Sequence, residues 1–213
     1  MKELSVLLIS AASIGFLHTL FGPDHYLPFI VMGKARRWSL KKVAVITFLS
    51  GIAHVGSSVV LGLLGVAFGV AVSRLEVFES VRGSIAAWML IGFGFVYFIW
   101  GIKKAIKGHS HSHEHVDENT DITPWVLFTI FVFGPCEPLI PLLMYPAAKH
   151  SMSGVFWVAG VFGAVTISTM LSIVLLALFG TSIVKFHRME RYGHAIAGGI
   201  VLFSGLAIQF LGL

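Results

Sequence analysis

The chain has 213 residues, of which 56% are hydrophobic and only 12% charged, and its mean hydropathy is +0.89. Soluble domains contain about 25% charged residues, so these values exclude an ordinary soluble protein and predict an all-α integral membrane protein. A single cysteine excludes an intramolecular disulfide, and no nucleotide-binding loop suggests ATP-driven transport. We therefore do not expect an enzyme.

Six hydrophobic segments approach or exceed the length of about 20 residues that a membrane-spanning helix needs. They are residues 4–22, 43–70, 83–102, 125–146, 154–184 and 193–213. Eleven of the 15 lysines and arginines fall in the first, third and fifth loops, which the positive-inside rule assigns to the cytoplasm. We expect a multi-pass protein of the cytoplasmic membrane with both termini outside. This asymmetry accounts for the net charge of +5, so no nucleic-acid partner is expected.

The sequence contains a duplication. The stretch FGPDHYLPFIVM at Phe21–Met32 returns as FGPCEPLIPLLM at Phe133–Met144, 112 residues later. Gly51 and Gly163 match at the same offset, and a third segment matches at an offset of 111. Both copies carry a Gly-Pro pair where a long apolar run ends, and proline interrupts a helix. The sequence thus predicts two repeats whose first helices are broken.

The repeats divide the chain into three parts: a first three-helix repeat at 1–105, a His-rich cytoplasmic linker at 106–123 and a second three-helix repeat at 124–213. Because each repeat has three helices, the second must cross the membrane in the opposite direction. Such inverted repeats are typical of secondary transporters, whose substrate sites lie near the midplane on discontinuous helices.

The first candidate half-site is His18, Asp24 and His25 around the Gly22-Pro23 pair. Carbonyls freed by the break can bind a cation or contact neighbouring helices. A carboxylate at the membrane centre costs about 3 kcal/mol, which favours a functional role for Asp24. The alternative is a structural Asp–His pair that stabilises the kink.

The second spanning segment carries a polar stripe at helical spacing, formed by Thr47, Ser50, His54, Ser57 and Ser58. Its counterpart in the fifth segment is Thr166, Thr169 and Ser172. Hydroxyl stripes often only join closely packed helices, and we favour that interpretation for the serines and threonines. For His54 we favour a metal-ligand role, because it follows the Asp-His motif by one helix.

The second candidate half-site is Cys136 and Glu137, which follow the repeated Gly-Pro pair among several prolines. Unwound backbone there is expected to line a cavity. Glu137 occupies the position equivalent to His25. Cys136 is a soft ligand, an inert buried residue or a redox thiol.

Together these side chains offer imidazole, carboxylate and one thiol, a set that suits nickel, cobalt or zinc better than magnesium or calcium. Such ligands must lose protons to bind metal, which provides a route to proton coupling. The linker adds alternating histidines, and short His-rich tracts are typical of metal binding. We expect auxiliary metal capture by His109, His111, His113 and His115; the alternative is a polar linker.

The Asp-His motif, the histidine before Ser-Ser-Val-Val and the His-rich loop resemble the nickel/cobalt transporter group. Within it the chain is most similar to nickel/cobalt efflux permeases and UreH-like membrane proteins, in a superfamily with LysE-type exporters and CcdA electron carriers. The family's His-x4-Asp-His signature falls on His18, Asp24 and His25, with one additional residue in the spacing, and its second-helix histidine falls on His54. The resemblance implies six helices and nickel or cobalt as the transported substrate, without a resident cofactor.

Three alternatives stay open at this point. A sulfite or organosulfur anion exporter would need cationic groups at the midplane, and we place no lysine or arginine well inside a span. A CcdA-type thiol oxidoreductase would need two cysteines. An accessory protein that passes metal to an enzyme would share the same ligands. The oligomeric state and the direction of transport are also open, although the linker favours efflux.

Overall fold

The computed structural model describes residues 2–106, 121–149, 151–183 and 190–212. These residues form helices and no strand. The helices are α1 (Lys2–Phe21), α2 (Leu27–Ala35), α3 (Leu40–Ala67), α4 (Val72–Ile106), α5 (Thr123–Phe133), α6 (Leu139–Ala148), α7 (Met152–Ile183) and α8 (Gly193–Leu211). Short 3-10 helices occupy Pro23–His25 and Glu190–Tyr192.

Five of the described helices are long and apolar enough to cross a membrane: α1, α3, α4, α7 up to Gly180, and α8. Their outward surfaces carry large apolar side chains, among them Phe48 and Val96. A soluble monomer rarely exposes so much apolar surface. The helices thus indicate a multi-pass membrane protein, as the composition predicts.

The fourth predicted span, 125–146, is not one continuous helix. It consists of the 11-residue helix α5 and the 10-residue helix α6, separated by residues 134–138. Helix α5 ends where the Gly134 N–H donates to the carbonyls of Ile130 and Phe131, because Pro135 has no N–H with which to continue the ladder. Helix α1 ends in the same way at Phe21, before Gly22-Pro23.

The third span also differs from the sequence prediction, which begins it at residue 83. Helix α4 begins at Val72 and has 35 residues. The additional turns bring Glu79 and Arg82 into a helix of spanning length. Arg82, which the sequence prediction places before the third span, therefore lies within α4.

Helix α3 packs against α7, and glycines make the contact close. A Cβ atom on Gly51 would lie 3.0 Å from Ile167 Cγ1, and a Cβ atom on Gly163 would lie 3.2 Å from Val55 Cγ1. Positions 51 and 163 differ by 112, as do positions 55 and 167. The two contacts are thus reciprocal at the offset of the sequence repeat.

Helices α4 and α8 approach still more closely. A Cβ atom on Gly94 would lie 2.4 Å from the Leu202 nitrogen, and one on Gly205 would lie 2.9 Å from the Ile91 nitrogen. These positions are reciprocal at the offset of 111. Small residues let helix backbones pack in contact within a membrane, so the glycines set this spacing.

Asp121 ties the start of α5 to the connection between α2 and α3. Its carboxylate accepts hydrogen bonds from Trp38 Nε1 at 2.9 Å and from the Thr123 N–H at 3.1 Å, and Arg36 and Lys42 lie 3.8 Å away. Burial raises the pKa of Asp121, but these hydrogen bonds and the charge of Arg36 outweigh burial and lower it from its usual value. The end of the linker is therefore anchored beside a basic connection.

Gly198→Ala tests the α4–α8 contact, because a Cβ atom there would lie 2.4 Å from the Phe98 backbone nitrogen. We expect overpacking to lower the free energy of unfolding by about 1–3 kcal/mol, measured by thermal or denaturant unfolding in detergent. Gly92→Ala on the open side of α4, where a Cβ atom meets nothing within 4 Å, is the matched control. Equal stability of the two variants would contradict the contact.

Candidate metal centre

Three histidines from separate parts of the first 67 residues meet inside the molecule. His18 lies in the last turn of α1, His25 ends the first 3-10 helix, and His54 lies in the middle of α3. Each offers a ligand nitrogen, and these atoms all lie within 4.8 Å of one another. In the described parts of the chain this is the one such group of His, Cys, Asp or Glu ligands. We call it the histidine group.

The rings of the histidine group lie edge-on to one another, and two of their nitrogens are in contact. His25 Nε2 lies 3.2 Å from His54 Nε2, and their rings are nearly perpendicular at 88°. The rings of His18 and His25 are also edge-on, with centroids 4.7 Å apart. Two nitrogens at about 2.0–2.1 Å from one tetrahedral metal lie roughly 3.3 Å apart, so the spacing of His25 and His54 fits two ligands of one ion.

Asp24 orients His25. The Nδ1 atom of His25 lies 3.1 Å from both the Asp24 carboxylate and the Gly22 carbonyl. Both partners accept hydrogen bonds, so Nδ1 carries a proton, and in the neutral imidazole Nε2 then has a lone pair that can accept from His54 Nε2–H or bind a metal. A carboxylate that holds the far nitrogen of a histidine is a frequent companion of metal ligation. Asp24 thus acts in the site through His25.

His18 contributes a polar atom whose bonding is incomplete. Its Nε2 atom is buried and has no hydrogen-bond partner among the described residues. Leaving such an atom unsatisfied costs about 1–3 kcal/mol. A ligand or water bound at the histidine group would remove this cost.

The two Gly-Pro breaks place their glycines against the histidine group. A Cβ atom on Gly22 would lie 2.6 Å from His25 Nδ1, and a Cβ atom on Gly134 would lie 2.9 Å from His54 Nδ1. A larger residue at either position would push a histidine ring aside. The sequence repeat therefore brings both copies of its motif to one site.

The structure does not bring Cys136 and Glu137 into the histidine group. Cys136 is fully buried in the apolar cluster that includes Leu139 and Leu143, and its backbone N–H donates to Glu79. Glu137 is exposed, on a surface that it shares with Glu76 and other residues of α4. The equivalence with His25 gives Glu137 a matching backbone position, but the chain turns differently after Pro135.

An ion pair that the sequence analysis missed lies beside the site. Glu79 is fully buried and pairs with Arg82, three residues along α4. Its second oxygen accepts the Cys136 N–H at 3.0 Å. Three-residue spacing of opposite charges is typical of a helical ion pair, and this signal was available from the sequence. A window that began at residue 83 concealed it.

Arg82 joins three elements around the second break. Its Nη2 atom donates to Ser57 Oγ of α3 at 2.6 Å and to the Val132 carbonyl of α5 at 2.9 Å. Two longer contacts of 3.4 Å join Nη1 to Ser58 Oγ and Nη2 to the Gly134 carbonyl. The carbonyls at the end of α5 thus have a cationic donor in Arg82.

The hydroxyl stripe of α3 has two kinds of members. Ser57 and Ser58 contact Arg82, whereas Thr47 and Ser50 are fully buried and have no partner in the described residues. On α7, Thr166 also has none, while Thr169 donates to the Val165 carbonyl and Ser172 is exposed. The predicted stripe is therefore not uniformly a set of interhelical hydrogen bonds.

The auxiliary histidines His109, His111, His113 and His115 lie outside the described residues. Comparison of the chain with protein-family models, with curated proteins and with solved structures finds no match.

The Glu79–Arg82 pair allows a double-mutant test. Because either partner alone is a buried, uncompensated group, we expect Glu79→Gln and Arg82→Gln each to lower the free energy of unfolding by about 3–5 kcal/mol. The double variant should lose clearly less than the sum, measured by denaturant unfolding in detergent. Additive losses would mean that the two side chains do not stabilise each other.

Proposed function

We propose that this chain is a secondary transporter of divalent transition-metal ions in the cytoplasmic membrane, with nickel or cobalt as the expected substrate. The observation that carries the proposal is the histidine group, whose ligand atoms lie within 4.8 Å of one another. His25 and His54 are almost completely buried, and His54 lies midway along a helix of spanning length. Ionisable groups in such positions are rare and mark ion pathways.

The same proposal includes six spans in two inverted repeats. In it, α1 with α2 forms one broken span and α5 with α6 forms its counterpart. The reciprocal contacts of Gly51 and Gly163, and of Gly94 and Gly205, support a two-fold relation between the repeats. The position of both Gly-Pro breaks beside the histidine group supports a substrate site at the repeat interface.

The ligand set favours a borderline metal ion. Imidazole nitrogens suit nickel, cobalt and zinc, whereas magnesium and calcium prefer oxygen ligands. A site of three neutral imidazoles leaves positions for water on the ion, which favours exchange over permanent retention. Metal binding competes with protonation of the histidines, so proton exchange is the natural coupling. The His-rich linker, on the cytoplasmic side by the positive-inside rule, would supply metal for efflux.

The alternatives fit less well. An anion exporter gains one argument from Arg82, but that guanidinium is already paired with Glu79 and donates to Ser57 and the Val132 carbonyl. Its charge is thus compensated. A thiol oxidoreductase of CcdA type lacks the second cysteine of its redox pair. An accessory metal-transfer protein shares the site and is separated from a transporter by a vesicle flux assay.

His25→Ala and His54→Ala each remove one proposed ligand. We expect each to raise the dissociation constant for Ni2+ at least about tenfold and to abolish metal flux in proteoliposomes, with binding measured by calorimetry. Asp24→Asn keeps the histidines and should weaken binding about 10–100-fold.

His194→Ala is the matched control, because it removes a half-buried imidazole that hydrogen-bonds Tyr97 on the α4–α8 side, outside the histidine group. Unchanged binding in both ligand variants, or equal loss in the control, would contradict the proposed site.

Glu137→Gln tests whether Glu137 is a metal ligand, as the sequence repeat predicts, or lies outside the site, as the structure indicates. Its equivalence to His25 in the sequence repeat predicts that Glu137 is a ligand, whereas in the structure Glu137 is exposed beside Glu76. We expect unchanged Ni2+ affinity and an unchanged pH profile of transport. A fall in affinity with a flatter profile would instead assign the second repeat a titrating ligand.

A further inference from the structure

The buried hydroxyls of the described residues differ in whether they have a hydrogen-bond partner. Three donate to the carbonyl four residues earlier, namely Thr19 at 2.7 Å, Thr169 at 2.8 Å and Ser204 at 3.0 Å. Three fully buried hydroxyls do not: Thr47, Ser50 and Thr166 have no partner within the part of the chain that the structure describes. A membrane helix normally satisfies a hydroxyl by this local bond or by a neighbouring helix, so the exceptions require an explanation.

The exceptions adjoin the histidine group. Ser50 and Thr47 lie four and seven residues before His54, on the same face of α3. Thr47 is about 10 Å from His54 along the helix axis. On the opposite side, Thr166 of α7 contacts α1, because its Oγ1 would lie 3.2 Å from a Cβ atom on Gly15. Gly15 is one turn from His18, whose Nε2 is also unpartnered.

The polar face of α3 is asymmetric about His54. Toward the C-terminal end of α3, Ser57 and Ser58 are held by Arg82. Toward its N-terminal end at Leu40, Thr47 and Ser50 have no partner. Unsatisfied buried polar atoms cost free energy, and water or an ion bound beside Thr47 and Ser50 would remove that cost.

We propose that Thr47 and Ser50 line the pathway by which a hydrated metal ion travels between the histidine group and the end of the molecule where α3 begins. The structure is then the conformation in which this pathway is closed. Neutral hydroxyls suit the task, because they can replace water around a cation without holding it as a carboxylate would. The basic connection before α3 makes this the cytoplasmic end. The identity of the ion rests on the proposed function, but hydration of the pathway does not.

Cysteine accessibility tests the pathway without metal. Thr47→Cys and Ser50→Cys, each in a Cys136→Ala background, are exposed in vesicles to a charged, membrane-impermeant methanethiosulfonate reagent. Leu49→Cys is the matched control, because Leu49 neighbours Ser50 in sequence but faces outward, 49% exposed. We expect both pathway cysteines to react at least about tenfold faster than Leu49→Cys, and only from the side where α3 begins.

Two outcomes would contradict the pathway. One is labelling of Thr47→Cys and Ser50→Cys no faster than labelling of Leu49→Cys. The other is faster labelling from the side of the membrane where α3 ends. Reaction after denaturation in SDS confirms that every introduced cysteine is present as a free, reactive thiol. If the background variant folds poorly, the wild-type Cys136 is retained, since it is fully buried, and mass spectrometry locates the label. Ni2+ should slow the labelling of Ser50→Cys at least about threefold.

A transport assay provides a second readout. Thr47→Val removes an unpartnered hydroxyl, so it should leave folding and Ni2+ affinity unchanged while lowering the rate of Ni2+ flux at least about fivefold. Thr169→Val, which removes a hydroxyl bonded within its own helix, should leave the rate unchanged. Equal rates in the two variants would contradict a role for Thr47 in permeation. Labelling of the pathway cysteines without Ni2+ binding would support the pathway and contradict the proposed substrate. Ni2+ binding without labelling would contradict the pathway only.

Discussion

The Gly-Pro interruption of two apolar helices is the constraint on which the remaining structure depends. Proline ends the hydrogen-bond ladder, and in a membrane the freed backbone groups must find partners inside the protein. The two breaks meet this need with different side chains. At the first, the Leu20 carbonyl accepts from the Tyr26 hydroxyl at 3.2 Å. The Gly22 carbonyl accepts the His25 N–H at 3.0 Å and lies 3.1 Å from His25 Nδ1. At the second, the Val132 and Gly134 carbonyls accept from Arg82.

Because of this difference, the two copies of the motif have different chemical properties. A histidine that satisfies a carbonyl through Nδ1 still presents Nε2 to a ligand, and His25 presents it toward His54. An arginine has only donors, so Arg82 can stabilise the second break but cannot ligate a metal. Its charge in turn requires the buried carboxylate of Glu79. In the proposed site, the first copy of the motif thus supplies a ligand, and the second copy is stabilised by Arg82. Both Gly22 and Gly134 nevertheless lie against a histidine of the site.

The sequence predicts both helix breaks and the meeting of three histidines, and it fails for the acidic side chains Glu137 and Glu79. Both breaks lie where Gly22-Pro23 and Gly134-Pro135 predict them, because proline cannot donate in any environment. His18, His25 and His54 converge as expected. Glu137 does not join them, because equivalence in a repeat fixes the backbone position and leaves the rotation of a proline-rich turn undetermined. Glu79 was missed because averaging over hydrophobic windows discards isolated charges that pair with each other.

The asymmetry along α3 gives the candidate site a preferred direction of opening. Separation of α3 from its neighbours near Ser57 and Ser58 must break the hydrogen bonds of Arg82 and weaken the packing around its pair with Glu79. Separation near Thr47 and Ser50 breaks no hydrogen bond of their side chains, and hydration there would satisfy atoms that are unsatisfied when the helices are closed. Polar interactions therefore oppose opening near Ser57 and Ser58 and favour opening near Thr47 and Ser50. Access from the end where α3 begins should require less free energy than access from the other side, unless substrate binding disrupts the Glu79–Arg82 pair.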